Sequence, residues 1–267
     1  DFNPLIVHVP DVAAAERLAL FDDRARQLAA RFWPGPLTMV LPLAPDAAVA
    51  AAVTAGLPTI ALRCPAHPLM RAVLVEARLP LAAPSANRSG GVSPTSADHV
   101  LRTLDARIAA VLDGGPSARG LESTIVALRE TGWQLLREGP ILWEEIESLL
   151  GAPLAITEAR IEAPGQLAQH YSPGKPVRLE AREAQSDEFM IGFGNVGGDC
   201  SLSEAGDLAE AFGWALVAGD GRQPHQTGPV VGEGRQTAPG GGGEAGEGEG
   251  DLLVDRTEDA LAVLALH

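Results

Sequence analysis

The sequence predicts an α/β protein, with an open mixed sheet flanked by helices over residues 1–155 and a smaller, incomplete-looking α/β domain after it. Three observations predict this. Apolar runs of strand length alternate with helical periodicity up to about residue 150. Cap residues precede the helical stretches, and Gly or Pro follows several of them. Apolar residues make up 46% of the 267, enough to bury a sizeable core.

An apolar strand at 5–9 begins almost at once, as though the chain had been cut inside a domain. Asp22 and Asp23 stand where N-caps belong, ahead of a helix over 24–32, and Trp33-Pro34-Gly35-Pro36 stops that helix before a strand at 37–43. A strand at 59–62, a helix at 68–76 and a strand at 79–83 follow. A helix over 96–104 precedes strands at 108–112, 123–128 and 133–136, and a short helix at 142–150 closes the block. The stretch 156–178 is a linker, marked by three prolines and no periodicity over 163–176. Residues 179–267 form the partial second domain, with a strand at 189–193, a helix at 203–212 and a Gly/Glu-rich tail expected to be disordered.

The formal net charge of −15 argues against a protein that coats nucleic acid or anionic membrane by bulk electrostatics. Most of it belongs to the second part: residues 1–178 hold 18 acidic and 16 basic side chains, residues 179–267 hold 17 and 4. Neither a signal peptide nor a membrane span is legible, so a cytoplasmic protein is expected. Cys64 and Cys200 lie far apart without metal-ligand spacing and read as buried thiols in a reducing compartment.

The most informative stretch is 80–90, where an apolar strand runs into Ser85-Ala86-Asn87-Arg88-Ser89-Gly90. Extended backbone would present Ser85 and Asn87 on one face, at a strand end of the kind where α/β sheets bind ligands. The alternative is a turn that only caps the next helix. Thr95 is placed as an N-cap with Asp98 at the capping-box position, a seat for phosphate or a cap serving only its helix. The glycine-rich stretch from Asp113 to Gly120 leads into Glu122-Ser123-Thr124, where Ser123 can donate to a carboxylate. Arg63 and Arg137 sit at strand ends inside apolar blocks, either as ligand anchors or as surface ion pairs. Gly192-Phe193-Gly194-Asn195-Val196-Gly197 matches a dinucleotide fingerprint, the basis for a nicotinamide-dependent oxidoreductase as a rival, but no helix is expected to open at its third glycine.

Five ordered motifs, 3–8, 32–38, 83–90, 120–124 and 170–173, together resemble the L-threonylcarbamoyladenylate synthases with a YrdC-like domain. The resemblance implies a YrdC-like open twisted sheet and a two-domain enzyme. It also implies a reaction in which L-threonine, bicarbonate and ATP with Mg²⁺ give threonylcarbamoyl-AMP and pyrophosphate. Downstream transfer proteins would then pass the threonylcarbamoyl group to tRNA, with no strong direct grip on nucleic acid by this chain. By the same resemblance His8, Arg63, Ser85 and Ser123 surround the threonine, while Asn3, Thr59, Asn87, Thr95 and Arg137, with His170 or Tyr171, surround the ATP.

Two departures from that pattern stand out. The family's Lys-x-Arg motif upstream of Asn3 is absent, and Lys175 is the one lysine in the sequence, so low synthase activity is expected of this chain. After about Phe212 the family's last elements are not recognisable, as a truncated gene with a shifted reading frame would explain. A non-catalytic YrdC-like module that binds nucleotide or RNA is the other rival.

Overall fold

The computed structural model describes residues 4–88, 91–154, 163, 182–184, 188–201 and 204–206. Six strands form one mixed sheet in the order β4-β1-β3-β2-β5-β6. In chain order they are β1 Ile6–His8, β2 Leu37–Pro42, β3 Thr59–Arg63, β4 Leu81–Ala83, β5 Thr124–Arg129 and β6 Gly132–Arg137. The helices are α1 Val12–Glu16, α2 Asp23–Phe32, α3 Ala51–Thr54, α4 Pro68–Ala77, α5 Ala97–Leu104 and α6 Trp143–Leu150. A two-stranded unit, β7 Ile191–Gly192 with β8 Cys200–Ser201, stands apart in sequence.

The period-2 alternation of each strand gives the sheet two different faces. Val7, Leu62, Met39, Leu41, Val126 and Leu128 point to one face, where they join Ala14 and Ala15 of α1, Leu28 and Phe32 of α2 and Ile146 of α6 in the main core. The other face carries a smaller cluster of Ile6, Val40, Ala61, Ile125, Ala127 and Ala163. On this second face, one row crosses five strands in register: His8 opposite Arg63, Arg63 opposite Thr38, Thr38 opposite Ile125, and Ile125 opposite Arg137. The sheet thus turns its oily face to the helices and its polar row the other way.

Local chemistry explains the borders. Asp22 caps α2, its carboxylate accepting from the Ala25 N–H at 2.8 Å. Arg24 in the first turn donates to the carbonyls of Arg129 at 2.6 Å and Gly132 at 2.9 Å, so the α2 N-terminus is tied to the β5–β6 hairpin. Helix α6 ends at Gly151, whose carbonyl accepts from the Trp133 indole N–H at 2.7 Å.

Several expectations are corrected. No strand forms at 108–112, where Val111 makes only a single bridge: Ala106 turns the chain at φ 62°, and the side chains that follow are exposed or half-buried without alternation. The N-cap of α5 is Ser96, not Thr95, because the Ser96 hydroxyl accepts from the His99 N–H at 3.4 Å. Helices α1 and α3 were not anticipated, being only five and four residues long. Gly192–Gly197 is no dinucleotide fingerprint but the end of β7 and a tight turn closed by a bridge between Phe193 and Val196. A Cβ on Gly192 would lie 2.2 Å from the Val196 carbonyl oxygen, and the chain enters β8 rather than a helix. Glu204 to Gly206 form a turn with Gly206 at φ 75°; the rest of the helix expected at 203–212 lies outside the described residues.

Replacing Asp22 with Ala is expected to cost about 1 kcal/mol in urea unfolding, the usual loss for an N-cap. Burial alone would raise the Asp22 carboxyl, but the Ala25 N–H and Arg24 outweigh it and hold it below its ordinary 3.8. A depressed folded-state pKa gives stability that is present above 3.8 and lost as pH falls through the folded value. The wild type should therefore lose more stability than the Asp22→Ala variant on acidification below that pH, measured by urea midpoints at several pH values.

Candidate functional site

The polar row and the loops at its end build one cluster. Arg137 closes β6 beyond a register shift between Ile125 and Val126. Its guanidinium is spent on a single segment: Nη1 pairs with Glu122 Oε2 at 2.5 Å, Nη2 donates to Ser123 Oγ at 2.9 Å, and Nε donates to the Ser123 carbonyl at 3.0 Å. Ser123 Oγ also bonds Thr38 Oγ1 at 2.8 Å, and both residues are buried. The second Glu122 oxygen accepts from Ser93 Oγ at 2.6 Å, which draws the loop entering α5 onto the same cluster.

Arg63 is the open member. Its Nε donates to the Gly35 carbonyl at 3.1 Å, and no other hydrogen bond of its guanidinium is seen among the described residues. Burial lowers its pKa to about 10; the Arg137 charge pushes the same way and Glu122 opposes both. It stays cationic at neutral pH, with the terminal nitrogens of its fork available for a carboxylate or phosphate. His8, its neighbour in the row, directs Nδ1 at the Leu81 carbonyl at 3.3 Å.

The other expected site residues fall elsewhere. Strand β4 runs antiparallel to β1, with His8 opposite Leu81 and Ile6 opposite Ala83, so Ser85 leaves the sheet at the end away from Arg63. Thr59 lies toward that same end, about 13 Å along β3 from Arg63 at strand rise. Asn87 is held in a turn rather than extended beside Ser85. Its N–H donates to the Ser85 carbonyl at 2.9 Å, and its Nδ2 donates to the carbonyls of Arg88 at 2.9 Å and Gly91 at 3.0 Å. Its buried Oδ1 has no partner. Thr95 is buried, with Oγ1 3.2 Å from His99 Nδ1. Asn3, His170 and Tyr171 lie outside the described residues.

Thr38, Ser93 and Glu122 were not singled out as site residues from the sequence. For Thr38 the signal was a hydroxyl in the otherwise apolar strand Leu37–Pro42, and for Glu122 an acid directly before Ser123 in a segment poor in other charge.

The comparisons with known proteins bear on this geometry. A Sua5/YciO/YrdC family model, described as "Telomere recombination", matches residues 1–139, just over half of the chain. The chain belongs to the Sua5/YciO/YrdC family. A second model, described as "Threonylcarbamoyl-AMP synthase, C-terminal domain", matches residues 141–226. The threonylcarbamoyl-AMP synthase of Bacillus subtilis is 45% identical over 184 residues, 66% of this chain and 53% of that protein. That of Pyrococcus abyssi is 41% identical over 182 residues, again 66% and 53%. This family member thus spans about half the length of those curated relatives. The crystal structure of P. abyssi Sua5 complexed with L-threonine superposes with a TM-score of 0.69 at 34% identity, covering 83% of this chain and 72% of that one. The α/β mixed sheet with helices is therefore the family's fold.

Gly139 lies so close to the 122–124 segment that a Cβ would come within 2.4 Å of the Thr124 nitrogen and 2.5 Å of the Glu122 carbonyl oxygen. Gly139→Ala is expected to cost about 1–3 kcal/mol in chemical denaturation, as overpacking against backbone does. Burial lowers the His99 pKa below 6.5, Arg102 adds to this and Asp98 opposes it, so the ring is neutral at pH 7 and able to accept from Thr95. Its NMR titration midpoint should lie below 6.5, and a midpoint above that value would contradict the assignment.

Proposed function

We propose that this chain carries the substrate-binding sheet of an L-threonylcarbamoyl-AMP synthase, a nucleotidyltransferase that joins L-threonine, bicarbonate and ATP. The observation that carries the reading is the pairing of an open guanidinium, Arg63, with a second one, Arg137, that is fixed on Ser123 and Glu122. The family's threonine-bound structure and the names of the curated relatives support it.

In this reading the threonine carboxylate takes the free end of the Arg63 fork, with Ser123 beside it and His8 along the row. The threonine amine attacks carbon dioxide released from bicarbonate and loses a proton to give a carbamate. A carbamate oxygen then attacks the α-phosphorus and pyrophosphate leaves with the P–O bonding pair. No covalent enzyme intermediate is required, so the protein's part is positioning and charge stabilisation. Arg137 serves the phosphate side together with Thr95, and Ser85, Thr59 and Asn87 come to the ligands from the far end of the sheet, as would Asn3 and His170 or Tyr171. Magnesium would arrive with the triphosphate as part of that substrate and would offset its negative charge. The product would pass in the cytoplasm to proteins that modify tRNA. Among the described residues no helix is long and apolar enough to cross a membrane.

Calorimetric titration with L-threonine tests the reading. Arg63→Ala should weaken binding about 10- to 150-fold, the range for losing hydrogen bonds to a charged group. Pyrophosphate release from ATP should require both threonine and bicarbonate. Release independent of threonine, or threonine affinity unchanged by Arg63→Ala, would overturn the assignment.

A further inference from the structure

The segment that leads into β2 serves several groups of the site at once. The Gly35 carbonyl accepts from Arg63 Nε at 3.1 Å, the Pro36 carbonyl accepts from the Thr124 N–H at 2.9 Å, and Thr38 Oγ1 lies 2.8 Å from Ser123 Oγ. Thr38 is held by ladders on both sides, opposite Arg63 of β3 and Ile125 of β5. Its hydroxyl is buried in an otherwise apolar strand, where an isosteric valine would match the neighbours.

The direction of the Thr38–Ser123 bond follows from the hydrogens available. A serine hydroxyl has two lone pairs and one hydrogen. One Ser123 lone pair accepts from Arg137 Nη2 at 2.9 Å. Were Ser123 to give its hydrogen to Thr38, the Thr38 hydrogen would be left without an acceptor. That side chain is 0% exposed, and its hydroxyl has no second hydrogen-bond partner among the described residues. With Thr38 as the donor, both Ser123 lone pairs are filled instead, and the spare hydrogen belongs to Ser123. Ser123 keeps 3% of its surface exposed, so this hydrogen has a way out of the chain, and the Arg137 charge turns it away from the guanidinium. The second arrangement avoids an enclosed donor with no partner, which is the costly kind.

We propose that Thr38 is a positioning residue: by donating to Ser123 it commits the serine hydroxyl to donate to the substrate, and so turns the carboxylate of L-threonine, rather than its amine, toward Ser123 and Arg63. A hydroxyl whose lone pairs are both occupied has nothing to offer an N–H donor. It bonds a carboxylate oxygen and leaves the amine without a partner on that side, free to face carbon dioxide. The inference rests on the synthase reading and goes beyond it, because it traces the orientation of the amino acid to a buried residue behind the one that would touch it.

The test uses the whole chain and calorimetric titration with L-threonine. Thr38→Val should weaken binding about 2- to 10-fold, and Thr38→Ser, which keeps the hydroxyl, should restore it to within about twofold of wild type. Ser123→Ala should weaken binding about 10- to 150-fold, and adding Thr38→Val to that variant should bring no further loss, because the two side chains act as one unit. Losses that add, or a Thr38→Val variant with unchanged affinity, overturn the proposal, since a valine that only loosened the strand would act with or without Ser123. The wild type supplies a second readout that needs no substitution. In proton NMR the Thr38 hydroxyl hydrogen should be protected from exchange with water, and that of Ser123 should become protected only when L-threonine is added. A protected Ser123 hydrogen in the free protein, with that of Thr38 exchanging, reverses the donor order and overturns the proposal. Binding that is lost in Arg63→Ala but indifferent to Thr38→Val overturns this proposal alone and leaves the synthase reading standing. Failure of L-threonine to bind the wild type overturns both.

Discussion

One carboxylate between two guanidinium groups governs the polar side of this sheet. Glu122 pairs with Arg137 and is felt at Arg63, whose own charge is opposed by burial and by Arg137. A partly buried ion pair contributes little net stability, because desolvation offsets most of the attraction. Its value here is geometric. By holding Arg137 on Ser123 and Ser93 on its other oxygen, Glu122 fixes the end of β6, the start of β5 and the loop into α5 against one another. The same carboxylate also favours the charged form of Arg63, against burial and Arg137.

The two faces of the sheet divide the labour. Large apolar side chains and three helices occupy one face and supply the burial that stabilises the domain. On the other, Ala61 and Ala127 keep the floor low, and the polar row runs across it from His8 to Arg137. A row in register across five strands is rigid in a way that loop side chains are not, since His8, Arg63, Thr38 and Ile125 lie on strands paired on both sides and Arg137 on an edge strand paired with β5.

The sequence was most legible where a physical signal was local. Asp22 before an amphipathic run, Trp33 to Pro36 as a stop, and the apolar runs at Leu37–Pro42 and Thr124–Arg129 all marked elements that formed close to their expected borders. Arg63, Ser123 and Arg137 were legible as chemistry, because an arginine at a strand end demands an acceptor. What could not be read was the antiparallel placement of β4, a long-range pairing with no local signature. It sends Ser85 to the other end of the sheet and leaves Asn87 in a turn. Ser96 displaced Thr95 as the cap by a single residue, within the ambiguity of three adjacent cap-forming positions. The failed strand at 108–112 shows the same limit: an apolar run without alternating burial gets no further than one bridge, at Val111.

The mutual repulsion of Arg63 and Arg137 has a thermodynamic corollary. Two like charges on one face repel, and Glu122 offsets only part of that repulsion at Arg63. An anion placed between them relieves it, so occupancy and folding are linked equilibria. Resistance to heat then becomes a reporter of filling, and a multivalent anion should raise the melting temperature more than a monovalent one of equal affinity for the rest of the cleft.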